Sequence, residues 1–328
     1  MKFRLLSVAL ALAAVAATLT GCLTQEQTFH VNPDGSGKFE LAMTVDTTMM
    51  GAFGGGAAAG QDMGKEVVLQ LLRGTEGIDT WADLKQETGA DGKTKIQATA
   101  FFKDINKLKM NAGEQAGGAS AGTLLSKRDG DKWTVAIGLP EGDAKPPTGS
   151  GAKPPSDQVK AAIQQAKAQW EASKSLVAPM IEGAKLTTTV KAGGTIKETV
   201  GFVKSDERTA SLSFGGAKVI AAIDAMMNDT KVMEDALAGG DPMAVLRDQK
   251  RMQKAIMESL TDGKGMPSIE LTPGQPTIDF DAEVEKAKAG QSPALKALLE
   301  EAGKPKGGAV IRPPAPAPRK PAQPAPVK

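Results

Sequence analysis

Tyrosine is absent from this chain, and histidine and cysteine occur once each. A single cysteine allows no internal disulfide, so the fold must rest on an ordinary buried core. Zinc sites assembled from several Cys and His residues are excluded by the same count. A Ser-His-Asp apparatus would have to use His30, which is also the only imidazole available as a general base. Aromatic residues are only 4 % of the chain, which leaves Val, Ile, Leu and Met to fill the interior. A strong charge of one sign is missing too: the formal net charge is +2. That figure includes Lys2 and Arg4 near the start and six cations after Glu301 (Lys304, Lys306, Arg312, Arg319, Lys320, Lys328), so the body between them carries −6. An acidic body with a basic tail is not a nucleic-acid footprint, which puts basic charge on the folded domain.

The N-terminal segment is the most informative. Lys2 and Arg4 precede an almost purely Leu, Val and Ala run over residues 5–18, which leads to Leu19-Thr20-Gly21-Cys22. A charged start, a short apolar run and a small-residue cleavage site make a secretory signal. The run is shorter than the ~20 apolar residues that span a bilayer. Leu19-Thr20-Gly21-Cys22 resembles a bacterial lipoprotein box, which implies cleavage between Gly21 and Cys22 and a diacylglycerol on the Cys22 thiol. Several acyl chains on one residue give stable anchoring, at about 0.8 kcal/mol for each buried CH₂. Leu23 stands where an aspartate often marks inner-membrane retention, so the expected location is the cell envelope, outside the cytoplasm, on the outer membrane if the organism has one.

About 300 residues follow the signal, enough for one large domain or two small ones. Residues 27–31 and 38–45 alternate apolar and polar side chains around Asn32-Pro33-Asp34-Gly35-Ser36-Gly37, a strand pair with turn chemistry between. A phosphate cradle would need a strand-to-helix context that this turn lacks. A Gly/Ala segment over 49–60 precedes a helix at 62–73, with Val67, Val68, Leu71 and Leu72 on one face. Further hairpins are expected at 80–87 with 95–102 and at 123–127 with 133–139. Residues 140–155 read as a Pro/Gly/Lys linker. Ser156 caps a long helix that Pro179 should kink or end. Strands at 186–191 and 195–203 are joined across Ala192-Gly193-Gly194, and 209–214 pairs after them. Beyond Gly216 the chain is helical and methionine-rich, with Asp229 and Asp241 as caps. Short strands at 269–271 and 277–280 and helices at 281–289 and 293–302 complete the folded part. From Gly303 onward Pro, Ala, Lys and Gly cannot bury a core, and that tail should stay extended or disordered.

The expected fold class is α+β: antiparallel β-hairpins with helices packed on one face, a helical C-terminal part and a Pro-rich tail. The expected organisation is a signal peptide at 1–21, an N-terminal α+β part at 22–139, the linker at 140–155, a helix, hairpin and Met-rich part at 156–302, and the tail at 303–328. The lipobox Leu19-Thr20-Gly21-Cys22, the turn from Val31 through Gly37, the run Thr189-Val190-Lys191-Ala192-Gly193-Gly194-Thr195-Ile196 and the strand 210–214 together resemble uncharacterised bacterial envelope lipoproteins related to the mycobacterial LppM domain. The resemblance implies a small α+β domain presented outside the cytoplasmic membrane and no particular activity. The chain departs from that pattern after Ile223, where a helical region and the basic tail stand instead of a C-terminal transmembrane helix.

Candidate chemistry is sparse. His30 sits on a strand a few residues from Cys22 and should point away from Phe29 and Val31. Asp279, Asp281, Glu283 and Glu285 alternate with apolar residues, a hard-cation pattern without a calcium loop, or a solvated face passing into a helix. The methionines between Met226 and Met266 suit core filling, an adaptable apolar groove or Cu(I). No catalytic residue, metal site or cofactor is expected. The expected role is a non-catalytic binding or scaffolding protein in the envelope; the alternatives are an envelope hydrolase using paired carboxylates or a carrier of an apolar ligand or peptide. Expected partners are the membrane, through the lipid on Cys22, and anionic wall polymer or lipid headgroups, through the tail.

Overall fold

The computed structural model describes residues 23–46, 60–90, 92–110, 123–138, 156–230, 233, 257–258 and 261–304. Its centre is β1 (Leu23–Val31), the middle strand of a seven-stranded sheet. On one side β1 pairs with β2 (Gly37–Asp46), followed by β5 (Lys93–Phe102) and β4 (Thr80–Thr88). On the other side it pairs in parallel with β9 (Lys185–Ala192), which continues to β12 (Thr209–Gly215) and β11 (Val203–Lys204). All the other strand pairings named here are antiparallel. A four-stranded sheet has the order β10 (Gly194–Val200), β13 (Ser268–Pro273), β8 (Lys132–Gly138) and β7 (Thr123–Asp129). A short ribbon joins β3 (Thr75–Glu76) to β6 (Lys109–Met110). The sheets are accompanied, among the described residues, by the helices α1 (Gly60–Gly74), α2 (Ser156–Glu182), α3 (Gly216–Asn228), α4 (Phe280–Gly290) and α5 (Pro293–Gly303). The fold is mixed α+β.

Period-two alternation sends one face of each strand inward. Phe29 faces Phe39 across the β1–β2 ladder with ring centroids 5.0 Å apart, and Val190 flanks Phe29 on β9. This inner face forms one core with Trp133, Val135 and Ile137 of β8, Ile269 and Leu271 of β13, and Val68 and Leu72 of α1. Each such side chain contributes roughly 1.5–3 kcal/mol when fully buried. Leu295 brings α5 onto the same core, and Arg73 donates to the carbonyl oxygens of Glu301 and Ala302, satisfying the end of that helix. On the opposite face α4 covers Phe101, which meets Phe280 edge-on at 6.5 Å beside Val284 and Ala287. Beside the sheets, α2 and α3 pack together. Asp224 of α3 accepts from Trp170 Nε1 at 2.7 Å and from Lys174 Nζ at 2.6 Å. Burial acts to raise the Asp224 pKa, but these two donors outweigh it and hold the carboxyl below its usual range.

Most strands and helices stand where the periodicity puts them, with four differences. β1 begins at Leu23, four residues before the expected start, because Gln25 and Gln27 are polar residues on the inner face. α2 does not end at Pro179 but runs three residues further, to Glu182. Residues 277–280 are not a strand but the lead into α4, whose N-cap is Asp279. Finally, β9 and β10 are not a hairpin. The chain leaves the large sheet at Ala192 and enters the small one at Gly194, where β10 pairs with β13. Glycine is required at that corner, because a Cβ on Gly193 would lie 2.6 Å from Pro33 Cδ and one on Gly194 2.5 Å from the Thr272 oxygen. Most of the expected Gly/Ala segment, the linker, Asp241 and the tail beyond Lys304 lie outside the described residues.

Candidate binding cleft at the turn end of the central strand

The β1–β2 turn is a junction for three other segments. Its own form is fixed locally: Gly35 has φ +90°, and Asp34 Oδ1 accepts from the Ser36 N–H at 3.0 Å and the Ser36 hydroxyl at 2.7 Å. Asn32, only 3 % exposed, then reaches across the chain. Its Oδ1 accepts from the Thr277 N–H at 2.7 Å, the Thr277 hydroxyl at 3.0 Å and the Ile278 N–H at 3.3 Å. Its Nδ2 donates to Ser36 Oγ and to the Ile278 carbonyl, both at 3.1 Å. Gly193 N–H donates to the Val31 carbonyl at 2.7 Å, and Gly274 N–H to the Gly193 carbonyl at 2.8 Å. Ile105 N–H donates to the Gly35 carbonyl at 2.9 Å, tying in the 3₁₀ turn Ile105–Lys107.

Beside this junction lies an open cleft of about 660 Å³, lined by the turn, by Lys103 and by residues 276–281. Its charged groups are Asp34, Asp279, Asp281 and Lys103. Two of the carboxylates already have structural duties: Asp34 holds Ser36, and Asp279 caps α4 by accepting from the Ala282 N–H at 3.2 Å. Asp281 is the cleft carboxylate with no hydrogen bond among the described residues. Ser36 is buried, donates to Asp34 and accepts from Asn32 Nδ2, so its hydroxyl is part of the turn's own hydrogen bonding. The cleft offers a polar ligand carboxylate acceptors from Asp34, Asp279 and Asp281 and the Lys103 ammonium as a donor.

His30 lies on the outer face of β1, as the alternation requires, in a charged cluster. Its Nε2 is 3.3 Å from Glu40 Oε2, and Lys38 Nζ is 2.7 Å from Glu40 Oε1. The register puts Lys38 and Lys191 on either side of His30. Burial, then Lys38, lowers the His30 pKa, with Lys191 adding to the effect and Glu40 opposing it. Burial acts to raise the Glu40 pKa, but Lys38 and His30 outweigh it and the net shift is downward. The lowered pKa favours the neutral imidazole, which sits against the Glu40 carboxylate and beside the Lys38 and Lys191 ammonium groups.

Asp279, Asp281, Glu283 and Glu285 do not share a strand face. The first caps α4, the next two lie in its first turn, where acids suit the helix dipole, and Glu285 accepts from Lys288 at 3.0 Å. Among the described residues no group of three or more His, Cys, Asp and Glu side chains is arranged to hold a metal ion. Met226, Met227, Met233 and Met257 are buried. Gly21 and Cys22 lie outside the described residues, which begin with the next residue, Leu23. No described helix is long and apolar enough to cross a membrane. In the sequence Asn32 is legible as a turn residue, and its role as a long-range hub is not. Its partners lie 245 and 246 positions away, beyond the reach of any local pattern.

No family model and no curated protein matches the chain. Among solved structures it is similar to the folded domain of the LppM protein of Mycobacterium tuberculosis, determined by NMR. The identity is 10 % and the TM-score 0.32, over 78 % of this chain and 93 % of that one. The resemblance is weak and carries no residue of the cleft across.

Proposed function

We propose that this chain is a lipid-anchored cell-envelope protein with a non-catalytic binding or scaffolding role. The observation that carries the reading is the junction between motif and fold. The lipobox cysteine is joined directly to Leu23, the first residue of the central strand of the large sheet. A lipid attached one residue before that strand, with no spacer between, suits a protein that presents a fixed face to its surroundings. The non-catalytic part of the reading is supported by the commitments of Asp34, Asp279 and Ser36 to turn and cap hydrogen bonds. The absence of aspartate after Cys22 favours the outer membrane where there is one. Residues 303–328 extend the binding role to anionic wall polymer or headgroups.

Mass spectrometry of the Cys22 peptide from the natural host tests the anchor, with a lipid-modified thiol as the expected result. Cys22→Ser should move the protein from the membrane to the soluble fraction. An unmodified thiol, or a retained residue 1–21 segment, overturns the anchor. Cross-linked partner capture with and without residues 303–328 tests the tail: if the shortened form keeps every partner, the tail is only a tether.

A further inference from the structure

The anchor end of the large sheet carries a row of donors that lies level with the start of β1. Register across the strands fixes the row: Lys185 of β9 stands beside Thr24 of β1, Thr24 beside Thr44 of β2, and Thr44 beside Lys95 of β5. Gly215, the last residue of β12, closes the row next to Lys185, and α3 starts immediately after it. Lys218, in the first turn of α3, is therefore at the same end. Lys95, Lys185 and Lys218 are all exposed, and none has an ion pair among the described residues. The end is not uniformly basic: Glu87 stands opposite Lys95, Glu182 closes α2, and Glu26 is one row further in.

We infer that this rim is the membrane-contacting surface, with the three ammonium groups and the Thr24 and Thr44 hydroxyls donating to lipid phosphates. The inference rests on the anchor reading and deepens it by naming the surface that the lipid brings to the bilayer. Covalent geometry gives the reason. Cys22 and Leu23 are adjacent, about 3.8 Å between Cα atoms, so acyl chains on Cys22 leave the start of β1 no room to stand off from the headgroups. Because β1 is the middle strand, its start is flanked on both sides by other strand ends, and the whole rim comes to the surface together. Nine residues of extended strand then hold the Asn32 turn and its cleft about 30 Å away, facing outward.

Amine acylation of the native lysines tests this. The lipidated mature chain is bound to vesicles of phosphatidylcholine and phosphatidylglycerol and compared with the same chain carrying Cys22→Ser in solution. Acylation needs the neutral amine, and headgroup attraction of about 1 kcal/mol per lysine corresponds to slowing by about fivefold. That slowing is expected at Lys95, Lys185 and Lys218 and not at Lys103 or Lys107 at the far end. Equal rates at both ends, or slowing at the far end only, overturn the orientation while leaving the anchor intact. An intact, unmodified Cys22 in the same preparation overturns both.

Discussion

Where β1 runs into the Asn32 turn, Phe29, Val31, Phe39, Val190, Ala192 and Ala210 are each 2 % exposed or less. Where it starts, Gln25, Met43, Val45, Leu186 and Phe214 are all only half-buried. The same strands and the same inner face supply both sets. The difference comes from what ties the strand ends together. At the turn end Asn32, Gly193 and Gly274 bond three loops into a lid over the core, while the described residues at the other end include no comparable hub. A strand pattern therefore determines which face is buried, but long-range polar contacts determine how tightly each end is sealed.

Removing the hub should have the largest effect. Asn32→Ala leaves the Thr277 and Ile278 amides and the Ser36 hydroxyl without their buried partner, and should lower stability by about 3 kcal/mol. Met43→Ala, at the half-buried end, should lower it by about 1 kcal/mol, because its side chain is already partly hydrated. Urea unfolding of the mature chain measures both. Equal losses would break the contrast between the ends.

Gln27 marks the boundary between the two regions. It is 2 % exposed, yet its Nε2 has no hydrogen-bond partner among the described residues. A buried amide in that state is destabilising, and methionine has nearly the same length without the polar atoms. Gln27→Met should raise the urea midpoint by an amount equivalent to about 1 kcal/mol. A loss of stability instead would mean that the amide has a partner the hydrogen-bond geometry does not reveal.

Local features of the fold were legible in the sequence, and the features that join distant segments were not. The turn at Asn32-Pro33-Asp34-Gly35-Ser36 announces itself because Asp34 and Gly35 act on their own backbone neighbours. Ala192-Gly193-Gly194 reads the same way, yet it is a corner between sheets. Glycine permits tight hairpins and close backbone approach alike, and only the positions of Pro33 and Thr272 distinguish them. The acids at 279–285 alternate as a strand would, but capping of α4 by Asp279 wins. Of the candidate cleft, the turn half was visible as a turn. The half made by residues 276–281 was not, because its placement depends on a side chain far away in the chain.

The smallest expected effect concerns the outer face near the sealed end. The His30 pKa lies below its ordinary 6.5, so the unfolded chain binds this proton more readily than the folded one. Stability should then fall as pH drops below about 6.5, and the slope should vanish once His30 is protonated in the folded state as well. Glu40 and Asp224 are shifted below their ordinary 4.5 and 3.8, so their contribution is present above those values and is lost only in stronger acid. As pH falls from 6.5 the histidine therefore begins to titrate before these carboxylates do. His30→Gln should flatten the melting-temperature profile just below pH 6.5 and, because His30 helps to lower the Glu40 pKa, also weaken the acid limb slightly. Glu40→Gln should steepen the profile below pH 6.5, because it removes the one group that favours the imidazolium while Lys38 and Lys191 remain on either side. Melting curves of the two variants that shift in the same direction would show that this cluster does not set the pH dependence. The contrast between the two ends would then rest on hydrogen bonding alone.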